Sequence, residues 1–423
     1  MTETATLPYE LNANFPNLAG ANRMERALDI IKNPRAVKKV SKNTFTVKSQ
    51  AGFSVYTVIF DKNSGFAACN CPDCIAHHGE LGWECKHILA VKLHLKMKED
   101  NLKAKKTEGK QVIDWSTYNL AQMSEGEAFK VYLKQLADMV NVLHPVTTRV
   151  GRPSMPMNDL VFCSVMKMYS QLSSRRTHSI LKDAEEANNI EYLPHYNSVN
   201  KFMGREDVTP ILRQLVRLSA APLSQIEHDF AIDASGFRTN QYGDWCGQKH
   251  GTKREHTFVK CHISSGVKTN IIADVLVTPQ EGEGTSDTAN FIELLDGTTG
   301  YFDVEQVSAD KGYLSSKNYS AAASMGVEPF IMFKKNSQAG GSKAWQDAFK
   351  SLIARPDEWL NNYHKRSNVE STFGALKAKF GETLKSKKYV AQVNEVLCKV
   401  IAYNITVLIE AVYSDDLDIN FGA

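Results

Sequence analysis

The sequence predicts an α/β protein, in which a mixed β-sheet flanked by helices follows a helical domain and a small ββα module. Strand-like and helix-like segments alternate after residue 226 in the order β-β-β-α-β-α-β-α. Apolar residues recur at steps of three and four between residues 115 and 220, which indicates helices. A hairpin pattern followed by a dense cysteine cluster occupies residues 43–95. A chain of 423 residues is long enough for several such domains.

Composition and charge restrict the cellular compartment and the kinds of binding partner that we expect. The net charge is only +3, so affinity for nucleic acid must come from local basic patches. Two patches stand out, residues 92–112 and 363–388, although a solvated face or a linker also fits the first. No apolar run approaches the ~18 residues that cross a bilayer, and the N-terminus lacks a signal pattern. We therefore expect an intracellular, cytoplasmic protein without membrane contact.

The N-terminal third of the chain is predicted to hold one small module and a linker. Residues 1–40 have weak patterning and form an N-terminal segment in this interpretation. The module, residues 41–98, begins with β-forming residues that alternate around Gly52, which is typical of a hairpin. Residues 99–114 are charged and featureless, and this composition predicts a linker.

Two chelating pairs lie in the module, Cys69-x-Cys71 and Cys85-x-His87. Thiolate and imidazole pairs of this spacing suit a closed tetrahedral Zn²⁺ site. Other side chains compete as ligands, since a C-x-x-C pair is also present: Cys74, His77 and His78. The pattern resembles the SWIM zinc finger, C-x-C-x(n)-C-x-H. The resemblance implies a structural zinc ion in a module that touches DNA or a protein partner, and the Lys-rich stretch after it favours DNA.

Residues 115–222 are predicted to form a helical domain. Apolar residues recur at helical spacing in residues 159–173, and a short helix is expected after Pro194. Polar residues lie among the apolar positions of that short helix: Asn197, Asn200 and Lys201. Short helices in this arrangement fit a helix-turn-helix-like DNA reader, and a bundle that merely packs fits the pattern equally well.

The mixed sheet is predicted within residues 223–415. The predicted strands are FAID (230–233), TFVKCHI (257–263), TNIIADVLV (269–277), YFDVEQVSAD (301–310) and EPFIMFKK (328–335). The helices between them are DTANFIELLDG and SSKNYSAAASMG, and the segment that contains YHKRSNVESTFGALK forms the last helix. These assignments imply a sheet with both antiparallel and parallel pairs, covered by helices.

Three acidic residues of this domain are candidates for one metal site. Asp233 and Asp310 each end a predicted strand, where an open sheet presents side chains to a ligand, and Glu370 on the last helix can join them. Taken singly, each acid also fits a turn or a cap. Oxygen-only sites suit Mg²⁺ or Mn²⁺. Two such ions about 4 Å apart activate a water or a 3′-hydroxyl and stabilise the leaving oxygen of a phosphodiester. The sequence therefore predicts phosphoryl transfer.

The segment YHKRSNVESTFGALK, residues 363–377, repeats polar residues at helical steps. On one α-helix, Tyr363, Arg366, Glu370 and Lys377 would fall within an arc of roughly 60°. An apolar stripe lies directly beside them. We predict one helix whose charged stripe lines the wall of a cleft. An ordinary surface helix with an Arg366–Glu370 pair is the alternative.

The stretches IDASG, SADKGY and YHKRSNVESTFGALK resemble the DDE transposases of bacterial insertion sequences, in the group with the signature Y-x2-R-x3-E-x6-K. All signature positions match over a likeness that covers about residues 150–410. The resemblance implies a ribonuclease H-like core in which Asp233, Asp310 and Glu370 are catalytic and bind Mg²⁺ or Mn²⁺. About 28 residues, 335–362, precede the signature, too few for the large β insertion of some relatives.

The same resemblance implies DNA as the partner. It places Tyr363, Arg366 and Lys377 on phosphates or on the DNA end near the cleavage point, where cations position the scissile bond. Three further residues, between the two predicted strands that end in Asp233 and Asp310, are candidate end contacts: Lys260, Trp245 and His250. For Trp245, packing is the stronger interpretation.

The function implied by the resemblance is transposition. The protein would bind the terminal repeats of its element, cut at the ends and join 3′-hydroxyls to target DNA, as a homodimer in the DNA complex, associated with a prokaryotic nucleoid. A DNA-binding regulator descended from a transposase, with the zinc finger as its working module, is a second hypothesis. A stand-alone nuclease shares the chemistry and lacks strand transfer.

Overall fold

The computed structural model describes residues 18–33, 36–41, 43–48, 54–62, 64–77, 83–107, 114–144, 155–239, 257–282 and 284–414, with residues 417, 419 and 421. The chain divides into two compact units, Met1–Gln122 and Met123–Ala423. The boundary lies within the helix Trp115–Leu143, whereas the sequence places the start of the helical domain at residue 115. Each unit buries its own set of apolar side chains.

The first unit contains a small antiparallel sheet covered by helices. Its described elements are α1 (Leu18–Ile31), β1 (Val37–Ser41), β2 (Thr44–Lys48), β3 (Val55–Phe60), β4 (Ala67–Cys69), α2 (Pro72–Ala76) and α3 (Lys86–Thr107). In the described part of the unit, the sheet order is β1-β2-β3-β4. The predicted hairpin around Gly52 is confirmed, since β2 and β3 pair from Thr44↔Ile59 to Lys48↔Val55. The ββα module is thus larger than predicted, with a further strand on each side of this hairpin.

Alternation along β2 gives this sheet its core. Phe45 and Val47 are 3% and 0% exposed, whereas the residues between and beside them are half-buried or exposed. Their side chains share one face of the strand and pack in a cluster with Ile88 and Val91 of α3. Because α3 also contacts β4, packing of this core brings the start of the helix to the end of that strand.

Helix α3 extends into the segment predicted as a linker. It continues to Thr107, so the prediction of a linker is wrong for residues 99–107. The segment is rich in Lys, Leu, Ala and Glu, which have high helix propensity, and it extends a helix already stabilised by packing of its first turns. Residues 108–113 of the predicted linker lie outside the described residues.

The second unit is a mixed sheet surrounded by helices. Its described elements, with the helix across the boundary, are α4 (Trp115–Leu143), α5 (Met157–Ser170), α6 (Ser174–Glu186), α7 (Tyr196–Met203), α8 (Thr209–Ala220), β5 (Asp229–Arg238), β6 (Phe258–Gly266), β7 (Ile272–Pro279), α9 (Asp287–Thr299), β8 (Gln306–Ala309), α10 (Ser316–Ser324), β9 (Glu328–Ile331), α11 (Lys343–Ala354), α12 (Pro356–His364), α13 (Ser367–Phe380) and α14 (Tyr389–Ser414). The predicted alternation of strands and helices is confirmed.

The strands of this unit form one sheet in the order β7-β6-β5-β8-β9 among the described residues. The pairs β7–β6 and β6–β5 are antiparallel, and the pairs β5–β8 and β8–β9 are parallel. The prediction of a mixed sheet is confirmed. β8 is shorter than predicted, and β5 is longer, because β5 pairs with β6 as far as Arg238↔Phe258.

The helical part of this unit contains the predicted short helix. α7 begins directly after His195 and buries Val199 and Phe202 at 3% and 2% exposure. Its polar residues Asn197 and Lys201 are exposed, as expected for the other face of an amphipathic helix.

The prediction that no apolar segment approaches the length of a membrane span is wrong for helix α14. By length and composition it is apolar enough to cross a bilayer, with 26 residues. However, 83% of its most apolar window is buried inside the protein, where it packs against α5, α8 and β7. A core helix of a soluble protein passes the same test, so α14 is weak support for a membrane span.

The signature segment does not form a single helix. α12 ends at His364 and α13 begins at Ser367, with a turn between them. In this turn the amide of Arg366 donates to the carbonyl of Tyr363 at 3.0 Å, and the amide of Val369 donates to the carbonyl of Arg366 at 3.1 Å. Bonds of this i to i−3 kind wind the backbone more tightly than an α-helix. The predicted common stripe is therefore interrupted between Tyr363 and the later residues.

Candidate functional site

The parallel pairing of β5 with β8 places two acidic residues side by side. The ladder ends at the pair Ile232↔Ala309. Asp233 directly follows Ile232, and Asp310 directly follows Ala309. Because the two strands are parallel, both acids lie at the same end of the ladder. Neighbouring strands lie about 4.8 Å apart. The prediction that Asp233 ends its strand is wrong, because β5 continues alongside β6 to Arg238. Asp233 follows the last residue of β5 that pairs with β8.

Asp233 is a half-buried carboxylate with a donor on each oxygen. Oδ1 accepts a hydrogen bond from the amide of Ala234 at 2.8 Å, and Oδ2 accepts one from Nη1 of Arg366 at 3.2 Å. Burial raises the pKa of Asp233, and the negative charges of Asp310 and Asp287 add to this, while the two donors lower it. The net direction is upward, so a further cation beside Asp233 would be stabilising.

Arg366 connects two acids of the predicted triad. Its Nη2 donates to Oε1 of Glu370 at 3.1 Å, while Nη1 of the same guanidinium contacts Asp233. The Glu370 side chain is 62% exposed and that of Arg366 is 22% exposed. Asp310 caps a short 3₁₀ turn and accepts from the amide of Lys311 at 2.7 Å. The three acids therefore border one region, with a guanidinium between two of them.

The triad does not form a closed ligand set in this arrangement. Among the described residues, one group of His, Cys, Asp or Glu has all its ligand atoms within 4.8 Å of one another, and it consists of Cys69, Cys71, Cys85 and His87. Asp233 and Asp310 are neighbours, whereas Glu370 is turned toward Arg366. The oxygen donors fit Mg²⁺ or Mn²⁺, which need few protein ligands.

Lys377 and Tyr363, the other signature residues, border the same region. Nζ of Lys377 donates to Oγ of Ser235 at 2.7 Å, and Ser235 lies two residues after Asp233, hence on the same face of the sheet. Burial lowers the pKa of Lys377. The ring of Tyr363 lies 6.0 Å from Cζ of Arg366. The structure thus places Arg366 and Lys377 against residues of β5, with Tyr363 beside Arg366.

Lys260 lies on the opposite face of the sheet. It pairs with Gly236 across the β5–β6 ladder, and directly opposite residues point to the same side, whereas Asp233 is an odd number of positions away. Nζ of Lys260 lies 2.5 Å from Oδ1 of Asp287, an acid that sequence reasoning missed. Among the described residues, the salt bridge of Lys260 is thus with Asp287 and not with Asp233 or Asp310. The other two candidate end contacts lie outside the described residues: Trp245 and His250.

A buried polar chain that sequence reasoning also missed supports the turn after Asp310. His262 is 0% exposed; its Nδ1 lies 3.2 Å from the hydroxyl of Tyr313, and its Nε2 lies 3.3 Å from Oγ1 of Thr278. Burial lowers the pKa of His262 to about 4, so the imidazole is neutral beside Asp287. Tyr313 belongs to the 3₁₀ turn that Asp310 caps. The chain therefore ties that turn to β6 and β7.

In the first unit, the two predicted chelating pairs come together. The ligand atoms of Cys69, Cys71, Cys85 and His87 all lie within 4.8 Å of one another. The first pair lies at the end of β4 and the second at the start of α3. Nδ1 of His87 is 3.9 Å from Sγ of both Cys69 and Cys85, near the ~3.6 Å between nitrogen and sulfur ligands of a tetrahedral zinc ion.

Burial of this group also fits a metal ion. Cys71 and Cys85 are 1% and 0% exposed. Burial raises the pKa of the Cys71 thiol to about 11 and lowers that of His87 to about 4. A divalent cation would bind the thiolates and the imidazole and so compensate for burial of these polar groups.

The competing ligands lie outside this group. The amide of Cys74 donates to Sγ of Cys71 at 3.3 Å, which supports that sulfur from outside. The ring of His77 stacks on Trp83 with centroids 4.4 Å apart. His78 lies outside the described residues.

Comparison with known families adds to this geometry. Residues 226–405 match the family model of the transposase DDE domain. The match begins just before β5 and ends within α14, so it includes the whole mixed sheet and all three acids of the predicted triad. It supports a transposase role in general, and with it DNA binding, a part in DNA recombination and the use of divalent metal ions. The Cys/His group lies outside the matched residues.

Proposed function

We propose that the protein is an active transposase that binds the ends of its mobile element, cleaves phosphodiester bonds there and joins the 3′-hydroxyls to target DNA. The observation that carries the proposal is the register of β5 and β8, which makes Asp233 and Asp310 neighbours at the end of their ladder. The strand order, with β5 in the centre of a mixed sheet, supports a ribonuclease H-like core.

In this proposal Asp233, Asp310 and Glu370 hold Mg²⁺ or Mn²⁺ ions. Bound ions supply activation of the attacking water or 3′-hydroxyl and stabilisation of the leaving oxygen. Asp233 lies within β5 and Asp310 directly follows β8, so the paired strands position both carboxylates. Glu370 is exposed and carried on α13, so it is the adaptable member of the set.

The cations of the signature segment orient the DNA in this proposal. Arg366 already forms ion pairs with two carboxylates, and contact with a phosphate would release Glu370 from its ion pair. Lys377 is held against β5 by Ser235, so its ammonium is pre-positioned for a backbone phosphate. Tyr363 adds an aromatic contact next to Arg366 on the DNA end.

The remaining parts of the proposal rest on the Cys/His group and on the resemblance of the sequence. The group Cys69, Cys71, Cys85 and His87 would bind a structural Zn²⁺ in a SWIM-type finger that contributes to DNA or protein contacts. Synapsis of two element ends implies a homodimer in the DNA complex. The protein would act in the cytoplasm, on the prokaryotic nucleoid.

A joining assay tests the proposal. Purified protein, Mg²⁺ and DNA with the sequences that flank the gene are combined, and 3′-end joining is compared between wild type and Glu370→Gln. The matched control is Glu358→Gln, because Glu358 is 64% exposed and accepts from Arg355 at 3.1 Å, much as Glu370 accepts from Arg366.

The expected result is metal-dependent joining in wild type and in Glu358→Gln, and none in Glu370→Gln. Cutting without joining by the wild type would indicate a stand-alone nuclease. Binding of the ends without cutting would indicate a regulatory protein derived from a transposase. Joining by Glu370→Gln at the wild-type rate would contradict the assignment of the triad.

A further inference from the structure

A basic cleft of about 870 Å³ opens in the second unit, apart from the acidic residues. Lysines from three segments of the chain line it: Lys167, Lys201, Lys385, Lys387 and Lys388. Its other described lining residues are mainly Ser, Asn, Gly, Ala and Met, and none of the lining residues is acidic. Such a concentration of one charge sign contrasts with the chain as a whole, whose net charge is +3.

The helical wall of the cleft is formed by α5, the start of α6 and α7. Nζ of Lys167 donates to Oδ1 of Asn200 at 2.8 Å, and Oγ of Ser174 donates to the same oxygen at 3.1 Å. Burial and, to a lesser extent, the charge of Lys385 lower the pKa of Lys167, although Glu395 partly offsets them. Because the Asn200 carbonyl group is already engaged, its capacity to read a base edge is reduced.

The opposite wall is residues 385–388, and buried groups of α14 hold this segment in place. Glu395 is 1% exposed and accepts from the amides of Lys385 and Ser386 at 2.9 and 2.8 Å. Nε2 of Gln392 donates to the carbonyl of Ser386 at 3.1 Å. The backbone of the wall is therefore fixed from beneath, which lowers the entropic cost of binding there.

The chain just before this wall is fixed in the same way. Lys399, which is 3% exposed, donates to the carbonyls of Gly381 and Thr383 at 2.9 and 3.1 Å. The amide of Leu384 donates to the carbonyl of Arg238, the last residue of β5. The segment thus connects the cleft to the far end of the strand that carries Asp233.

We infer that this cleft binds the phosphate backbone of duplex DNA, away from the acidic residues, with Lys201, Lys387 and Lys388 as the phosphate contacts. The inference deepens the proposed function and rests on it. Lys, Ser and Asn side chains are the usual phosphate donors of DNA-binding proteins, and duplex DNA carries a negative charge about every 1.7 Å. Since these contacts read no bases, the cleft contributes affinity without sequence preference.

Salt-dependent binding of full-length protein tests the inference. Fluorescence anisotropy without divalent metal measures affinity for a duplex that flanks the gene and for a scrambled duplex of equal length. The variant is Lys201→Gln/Lys387→Gln/Lys388→Gln. Lys167 and Lys385 are left unchanged because they bond to Asn200 and to the carbonyl of Gln171. The control replaces three exposed lysines of α10 and α11 by Gln: Lys317, Lys343 and Lys350.

The expected result is a loss of affinity of about tenfold or more on both duplexes, with a log–log salt slope reduced by about 2 to 3, as for loss of three phosphate contacts. The control should bind like wild type, and thermal unfolding should show all variants folded. Unchanged affinity in the cleft variant, or a loss confined to the flanking sequence, would overturn the inference. Binding needs no cleavage, so a wild type that binds and never joins counts against the proposed function alone.

Discussion

Nη1 of Arg366 donates to Oδ2 of Asp233 at 3.2 Å, so the signature segment contacts the central strand of the sheet directly. Residues that are 133 positions apart in the chain thereby form one ion pair, and the same guanidinium also contacts Glu370. Asp233 and Glu370 therefore already have a positively charged partner, with which any bound metal ion would compete.

Loss of this counter-charge should change the pH dependence of joining. Burial raises the pKa of Asp233, and Arg366 lowers it, so Arg366→Leu should raise that pKa further. Because the carboxylate must be ionised to bind metal, the acid limb of the pH–rate profile should move to higher pH. Joining rates across pH for wild type and variant measure this. Arg355→Leu, which removes an exposed pair with Glu358, should leave the profile in place.

Replacement of Asp310 should stop catalysis and spare binding. Asp310→Asn removes a charge beside Asp233, and loss of several kcal/mol of metal-mediated stabilisation corresponds to a fall of about 10³-fold or more in joining rate. Gel-shift affinity for the DNA ends should stay near the wild-type value, since it depends on basic surfaces. Asp303→Asn, an exposed acid before β8, is the control. A joining rate for Asp310→Asn equal to that of this control would exclude Asp310 from the site.

Replacement of Lys377 should reduce the rate of DNA joining more than it reduces the stability of the fold. Its ammonium is half-buried, with a hydrogen bond to Ser235 and no carboxylate within salt-bridge distance among the described residues. Lys377→Met should therefore change the free energy of unfolding by about 1 kcal/mol or less, because an apolar chain replaces a partly desolvated charge. Joining should fall about tenfold or more through the lost phosphate contact. Chemical denaturation and single-turnover joining, with Ser235→Ala as the comparison, separate the two effects.

Asp274 is an acid with a structural role, in contrast to the acids proposed to bind metal. It is 0% exposed in β7, and both its oxygens accept from Arg213 and Arg217, at 2.6 to 3.0 Å. Asp274→Ala would leave two guanidiniums without their buried partner, at a cost of about 3–5 kcal/mol in unfolding free energy. Denaturant titration against the exposed control Asp296→Ala measures this. An unchanged midpoint would show that the cluster does not stabilise the unit.

The Cys/His group should hold one zinc ion that stabilises the first unit. Cys85→Ser removes a fully buried ligand and should abolish stoichiometric zinc, whereas Cys74→Ser, outside the group, should retain it. Metal analysis of the purified variants decides between them. Because structural zinc contributes folding free energy directly, a chelator should lower the melting temperature of the first unit. Zinc retained by Cys85→Ser and lost by Cys74→Ser would contradict the ligand assignment.

Local patterns in the sequence determined the strands, most helices and the residue types of both sites. Alternation around Gly52 and the run before Asp233 predict strands because side-chain period depends only on the local backbone. The chelating pairs were visible for the same reason, since ligands two residues apart need no long-range information. The linker was misjudged because helix α3, once packed by Ile88 and Val91, extends through polar residues that show no periodicity of their own.

Tertiary structure alone decided which of these residues meet. The register of β5 with β8 made Asp233 and Asp310 neighbours, and the same pleat turned Lys260 to the opposite face, toward the unforeseen Asp287. The turn after His364 has no glycine or proline to mark it in the sequence. The sequence by itself determined which acidic, basic and metal-ligating side chains the protein contains. Pairing and packing between distant segments decided their placement, because contacts between residues far apart in the chain depend on the whole sheet.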